Sequence, residues 1–249
     1  MERIDDLNIA GLKVIQNTDY FMFGIDSVML ANTVKTGKKD IVIDLCTGSG
    51  VIPILVNAKQ EPTKLIGLEL QQEMYDLAKR NIELNNLEEK IDVYNIDIRE
   101  IKSIRKLLMD RYGKDTVDCI TCNPPYKEIG TGIKIDHGVR DIARNEVMCT
   151  LEDVFKTSSG LLKSRGKLYM VHKPERLVDL IYLSRQYNLE LKEIRFMQPN
   201  IDKKPSIVLL EFVKDGGHEC NVREILIQYD NNGKHSEEIM KIYEEGNNG

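Results

Sequence analysis

Long apolar runs are missing from this chain of 249 residues. None approaches the roughly 20 residues that a membrane span requires, and Met1 to Asp6 opens on charges instead of an apolar leader. A soluble, cytoplasmic protein is the expectation. Glycine and proline number only 17 and 7, which excludes collagen-like and low-complexity scaffolds. Cysteine is scarce and odd in number: Cys46, Cys119, Cys122, Cys149 and Cys220 follow no regular spacing and read as reduced thiols. Cys119 and Cys122 lack a second ligand pair, and the two-residue period of a strand sends them to opposite faces. Small apolar filler is the reading there. The histidines, His137, His172, His218 and His235, show no metal-ligand spacing, and of these only His137 is placed to approach a substrate. Positive charge is not in excess either. With 35 Lys and Arg against 40 Asp and Glu the net charge is −5, so any nucleic-acid contact must rest on a local basic patch.

What is present is a βα rhythm. Short β-branched runs recur at Ile41–Leu45, Leu65–Leu70, Ile91–Ile96, Val117–Cys122, Gly166–His172, Leu189–Met197 and Ser206–Phe212. Helical patterns lie between them, such as Gln71 to Asn85 with Met74, Leu77, Ala78 and Ile82 on one stripe. Thr150-Leu-Glu-Asp153 reads as a capping box opening another helix. This alternation predicts an open, mostly parallel sheet. The last two runs lack a full helix between them and read as an antiparallel pair at the sheet edge. Ile25 to Val34 reads as a short helix with Asp26 as its cap. Glu224 to Tyr229 adds a strand and Ser236 to Tyr243 a terminal helix. One domain over 1–249 is expected, with a lead-in at 1–40, a core sheet at 41–213 and an extension at 214–249.

The first strand runs into Asp44-Leu-Cys-Thr47-Gly48-Ser-Gly50-Val-Ile-Pro53, a glycine-rich turn at the sheet edge where open α/β folds bind ligands. Glycines admit close backbone approach, and Pro53 is tolerable in a first helical turn. A dinucleotide fingerprint is not satisfied, since Pro53 stands where a third small residue belongs, and no Gly-Lys-Ser/Thr phosphate loop occurs. Acidic residues instead end the first three strands. Asp44 and Asp97 flank the turn and an adenine edge, while Glu69 can take both ribose hydroxyls. Their neighbours Leu70 and Ile98 are counted with them as cofactor contacts, as are Thr47, Gly48 and Gly50.

The fourth strand delivers Asn123-Pro124-Pro125-Tyr126 to the same edge. Two prolines freeze the backbone and hold Asn123 extended. A conjugated amino group is a poor nucleophile because its lone pair is delocalised. If the Asn123 side-chain oxygen and the Pro124 carbonyl hold its two hydrogens, the nitrogen is drawn toward tetrahedral geometry. Tyr126 then offers a face on which a base can stack. The following segment, 127–145, carries Gly130, Gly132 and Gly138 and reads as a mobile loop beside the site. Within it Arg140 and Arg144 are candidates for gripping substrate phosphates. Lys163, Arg165, Lys167, Lys173, Arg176, Lys192, Arg195, Lys203 and Lys204 form further basic positions near the later strands.

In order, these motifs resemble those of class I S-adenosylmethionine-dependent methyltransferases that modify exocyclic or amide nitrogens. Over nearly the whole chain, the closer likeness is to the bacterial tRNA1(Val) (adenine-37-N6)-methyltransferase family. It is carried by Tyr20-Phe-Met-Phe23-Gly24-Ile-Asp26-Ser27, Thr47-Gly-Ser-Gly-Val-Ile-Pro53, Arg80-Asn81-Ile-Glu-Leu-Asn85, Ala143-Arg144-x-Glu146 and Pro174-Glu-Arg-Leu177. The resemblance implies a Rossmann-like α/β fold with a seven-stranded, mostly parallel sheet and helices on both faces. It implies Asn123, Pro124 and Tyr126 as catalytic residues, S-adenosyl-L-methionine as cofactor, with Asn123 also touching it, and tRNA as substrate. Phe23 and Asp26 are implied to close over the methionine end of the cofactor. No metal, membrane or obligate protein partner is implied. A protein glutamine N5-methyltransferase and a non-catalytic RNA-binding module of the same fold are the alternatives. Enzymes of the first kind usually carry a helical domain before the first strand, and 40 residues precede Ile41 here.

Overall fold

A computed structural model describes residues 1–20, 22–126 and 149–244. Strand β3 (Ile41–Leu45) is buried along its whole length. Ile41, Ile43 and Leu45 join one core cluster and Val42 another on the opposite face. A strand covered on both faces has no solvent side to spend polar residues on, which is why it reads as an unbroken apolar run. With β4 (Lys64–Glu69), β5 (Ile91–Asn95), β6 (Val117–Cys122), β7 (Leu162–His172), β8 (Leu189–Gln198) and β9 (Ile207–Lys214) it builds a sheet in the order β5-β4-β3-β6-β7-β9-β8. Within these seven strands every pairing is parallel except those of β9, which runs antiparallel to both β7 and β8.

The expected strand near 224–229 shrinks to β11 (Leu226–Ile227), and a second short strand, β10 (Asn221–Val222), joins it. Both pair with β8, so the sheet has nine strands instead of seven. Helices α1 (Ile25–Thr33), α2 (Val51–Gln60) and α7 (Glu237–Glu244) pack on the Val42 face, together with Ile82 of α3 (Gln72–Leu84). Helices α4 (Ile101–Tyr112), α5 (Leu151–Leu161) and α6 (Leu177–Gln186) cover the other. Cys119 and Cys122 are buried in opposite clusters, as the strand period demands, and all five cysteines are free. The Thr150–Asp153 capping box is formed at α5, a cap contributing about 1 kcal/mol.

Two features of the first 40 residues depart from expectation. Asp26 does not cap α1. Gly24 is the capping residue, without a side-chain bond, and Asp26 lies in the first turn, its Oδ1 accepting the Ser27 N–H at 3.0 Å and its Oδ2 facing the Tyr126 hydroxyl. The lead-in also contains an antiparallel hairpin, β1 (Glu2–Asp6) with β2 (Lys13–Asn17). Its turn uses left-handed backbone at Asn8, Ala10 and Gly11.

The hairpin is tied to α3 by two asparagines one helical turn apart. Asn85 accepts the Lys13 amide N–H at 2.9 Å and donates to its carbonyl at 2.8 Å. Asn81, fully buried, accepts the Ile15 N–H at 2.6 Å and donates to the carbonyls of Ile15 and Ser49. Residues i and i+4 of a helix share a face, as residues i and i+2 of a strand do, so the pair meets β2 as a neighbouring strand would. Ser49 lies in the glycine-rich turn, and Asn81 thereby couples the hairpin to it. Asn81→Ala strands three buried backbone groups and is expected to cost about 3 kcal/mol. Asn85→Ala, at the exposed end, is expected to cost less than half as much. Urea denaturation of the two variants measures the difference, and equal losses would deny Asn81 its special place.

Candidate active site

The parallel strands bring the ends of β3, β4, β6 and β7 to one edge. In the sheet register Asp44 stands between Gly67 of β4 and Thr121 of β6. Thr121 Oγ1 donates to Asp44 Oδ1 and Thr47 Oγ1 to Oδ2, each at 2.6 Å. Gly67 makes room for this, because a Cβ there would stand 2.9 Å from the Thr47 methyl. Asp44 was expected to face a nucleoside. At 1% exposure, with both oxygens held by threonine hydroxyls, it instead braces the turn against the sheet.

The turn alternates left-handed residues, Cys46, Gly48 and Gly50, with φ of 57°, 56° and 78°. At Gly50 the backbone lies so close to α3 that a Cβ would meet Ala78 Cβ at 3.3 Å. Pro53 falls in the first turn of α2, as expected. Glu69, at the end of β4, is 5% exposed. Its Oε2 accepts the Gly48 N–H at 2.8 Å and its Oε1 the Gln71 N–H at 2.9 Å. Burial raises its pKa against those two backbone bonds. Each carboxylate oxygen has a second lone pair, which matches a vicinal diol. Leu70 beside it is 39% exposed. The glycine turn and the Glu69 acceptors therefore fit a nucleoside with free ribose hydroxyls.

Past β5 the expectations hold less well. Asp97 is engaged by the fork of Arg99, with Nε–Oδ1 at 2.9 Å. The Ile98 side chain lies in the second core cluster. Asn95, which the sequence reading passed over, donates to the carbonyls of Glu69 and Leu70 and fixes that stretch of backbone.

At the end of β6, Pro124 is buried and Asn123 half-buried. Asn123 Nδ2 donates to Ser27 Oγ at 3.0 Å. The Tyr126 hydroxyl lies 2.8 Å from Asp26 Oδ2 and 2.7 Å from Asn123 Oδ1. Burial and the Asp26 charge raise the Tyr126 pKa, so the phenol stays protonated. Its ring, reserved by the sequence reading for a base, meets His172 edge-on at 5.1 Å and carries the Lys173 ammonium 5.1 Å from its centroid. Phe23 packs half-buried against the first core cluster. Asp26 was expected to reach the methionine end of a cofactor. Its Oδ1 accepts the Ser27 N–H and its Oδ2 faces the Tyr126 hydroxyl of the tetrapeptide. Arg140, Arg144, His137 and the rest of the 127–145 segment lie outside the described residues.

Ser27, His172 and Lys173 are the neighbours that sequence reasoning did not place at the tetrapeptide. Ser27 closes the Tyr20–Ser27 motif and no motif marks His172 and Lys173, but only the adjacency of α1, β6 and β7 brings the three there. His172 is buried, its Nδ1 accepts the Lys173 amide N–H at 2.8 Å, and burial lowers its pKa to about 4. It is a neutral ring near pH 7.

A family model described as the TRM5/TYW2 methyltransferase domain matches residues 23–119. Among solved structures, an Agrobacterium tumefaciens chain described as a predicted O-methyltransferase superposes with a TM-score of 0.70 at 20% identity, covering 89% of this chain and 96% of that one. The Pyrococcus horikoshii TYW2 structure gives 0.58 at 15% identity, covering 86% and 72%. The fold is that of the class I methyltransferases, and the chain is a methyltransferase. Its similar curated relatives are tRNA1(Val) (adenine(37)-N6)-methyltransferases. That of Parabacteroides distasonis is 25% identical over 188 residues, 76% of this chain and 75% of the relative. That of Photobacterium profundum is 22% identical over 219 residues, 87% of each. They bear out the resemblance that the motifs carry.

Burial raises the Asp44 pKa from 3.8 to about 7, against the two threonine bonds, and the Glu69 charge adds to it. A raised carboxylate pKa means that folding takes up a proton between these values. The resulting stabilisation is complete below pH 3.8 and lost as the pH climbs through about 7. Asp44→Asn has no proton to lose. Relative to the wild type its stability is expected to rise from about pH 4 to pH 8 by up to about 4 kcal/mol in all, read as a melting-temperature difference that widens with pH. Comparing the two proteins isolates Asp44 from His172, whose lowered pKa works in the opposite direction, costing stability as the pH falls below 6.5. Parallel curves would mean that Asp44 is ionised throughout.

Proposed function

We propose that the chain transfers a methyl group from S-adenosylmethionine to the exocyclic N6 of an adenine in tRNA, that the adenine is nucleotide 37 of tRNA1(Val), and that residues 1–249 act as one such unit. The observation that carries the reading is the Asn123–Tyr126 tetrapeptide at the end of β6, next to the glycine turn of β3 in the sheet. S-adenosylmethionine supplies an electrophilic methyl on a sulfonium, which departs as a neutral thioether. The rest falls to the chain. Gly48 and Gly50 admit the nucleoside, and Glu69 accepts its ribose hydroxyls. Asn123 Oδ1 and the Pro124 carbonyl accept the two N6 hydrogens and turn the lone pair toward the methyl group. In-line transfer needs no covalent enzyme intermediate, so positioning and fixed acceptors supply the catalysis. The base has to leave its stack to reach them, and the proton released from N6 goes to water. The names of the similar relatives support tRNA as the substrate and position 37 as the target.

Labelled S-adenosylmethionine incubated with total tRNA lacking this modification is expected to yield N6-methyladenosine. Label in protein glutamine with none in tRNA would overturn the reading. Two variants separate its halves. Asn123→Ala is expected to slow single-turnover transfer by roughly 100-fold or more while cofactor affinity changes little. Glu69→Ala is expected to weaken cofactor binding by on the order of 2–4 kcal/mol, measured by calorimetry.

A further inference from the structure

Asn123 can hold a substrate amino group only if its carboxamide oxygen, rather than its nitrogen, faces that group, and only if an acceptor site on the oxygen is open. Both conditions are met from α1, far from the tetrapeptide in sequence. Ser27 Oγ takes the Asn123 Nδ2 hydrogen at 3.0 Å, which turns Oδ1 away from α1. The Tyr126 hydroxyl has a single hydrogen and two acceptors, Asp26 Oδ2 at 2.8 Å and Asn123 Oδ1 at 2.7 Å. It can satisfy one fully. While that hydrogen points at Asn123, it takes one of the two lone pairs of Oδ1 and weakens the acceptor that a substrate N–H needs. A carboxylate is the stronger acceptor of the two, so Asp26 is placed to draw the hydroxyl off. His172 and Lys173 border the Tyr126 ring. Helix α1 can hold this geometry, since Ser27 to Ala31 are buried in the core.

We propose that Asp26 and Ser27 are positioning residues for methyl transfer, Ser27 orienting the Asn123 carboxamide and Asp26 clearing the Tyr126 hydroxyl from its oxygen as the amino group arrives. The proposal rests on the reading of the site as an amino-group methyltransferase. It differs from a part for Asp26 in closing over the cofactor, which would show in cofactor affinity.

The test is the single-turnover rate on unmodified tRNA at saturating S-adenosylmethionine, with S-adenosylmethionine affinity measured by calorimetry. It compares wild type, Asp26→Ala, Tyr126→Phe and the double variant, each checked for a wild-type-like melting transition. Asp26→Ala is expected to lose roughly 10-fold in rate, with affinity within about twofold of wild type. Without the phenolic hydroxyl there is nothing for Asp26 to draw away, so the double variant is expected to match Tyr126→Phe alone. Asp26→Asn, of the same shape but a weaker acceptor, is expected to lose less and to be equally silent in the Tyr126→Phe background, and it serves if the alanine variant fails to fold. Ser27→Ala is expected to slow transfer at unchanged affinity. Multiplying losses in the double variant, or a loss of affinity as large as the loss of rate, would overturn the proposal and leave the function standing. A wild type that methylates no tRNA would overturn both.

Discussion

A buried carboxylate between two threonines holds the two halves of the site in register. Asp44 accepts from Thr47 in the turn that follows its own strand and from Thr121 on the strand beside it. Burying an unpaired charge is expensive, and the raised Asp44 pKa reflects that cost. The hydroxyls offset it only where the glycine turn and β6 are correctly placed relative to β3. Gly67 belongs to the same constraint, because any larger residue would displace Thr47. The tetrapeptide begins two residues beyond Thr121, so an interaction that looks like loop bracing also sets where Asn123 emerges.

Topology explains why β3 is the strand so braced. From β3 the chain proceeds to β4 and β5 on one side and then returns to β6 on the other. At that reversal the connections diverge and leave a crevice at the carboxyl edge. The glycine turn and Glu69 lie toward β4, and Asn123 toward β6. The first 33 residues fasten to both sides. Asn81 links the hairpin to the carbonyl of Ser49, and α1 reaches the tetrapeptide through Asp26 and Ser27. Removing those contacts would leave the sheet intact and the site unbraced on both flanks.

The sheet was legible because strands buried on both faces cannot hide their apolar runs, and the helices because Met74, Leu77, Ala78 and Ile82 keep a 3.6-residue stripe. The hairpin was not, since β1 is mostly exposed and carries little apolar alternation. Its partner is the face of a helix, presented through Asn81 and Asn85. The motif containing those asparagines was visible, but its purpose depends on a contact 66 residues away. Similarly, a carboxylate near a helix start reads as a cap. Gly24 holds that place, and Asp26, in the first turn, divides its carboxylate between the Ser27 N–H and a partner 100 residues on, the Tyr126 hydroxyl. Site chemistry carried by one strand end and its turn was readable, whereas chemistry shared between distant segments was not.

Charge raises the same question of what is already spent. Of the basic residues near the later strands, Lys163 pairs with Asp118, Lys167 with Glu211, Arg176 with Asp179 and Arg195 with Glu238. Each pair presents a dipole instead of a net charge to an approaching polyanion, and its field falls off quickly through salt solution. Such pairs are weak at a surface, so an RNA phosphate can exchange with the carboxylate at close range, but they provide little attraction at a distance. Lys173 differs. Its contacts are the Ser206 carbonyl and the Tyr126 ring, and neither cancels its charge. Lys173 stands over the Tyr126 ring, whose hydroxyl meets the Asp26 carboxylate at 2.8 Å, so the tetrapeptide carries one charge of each sign beside it.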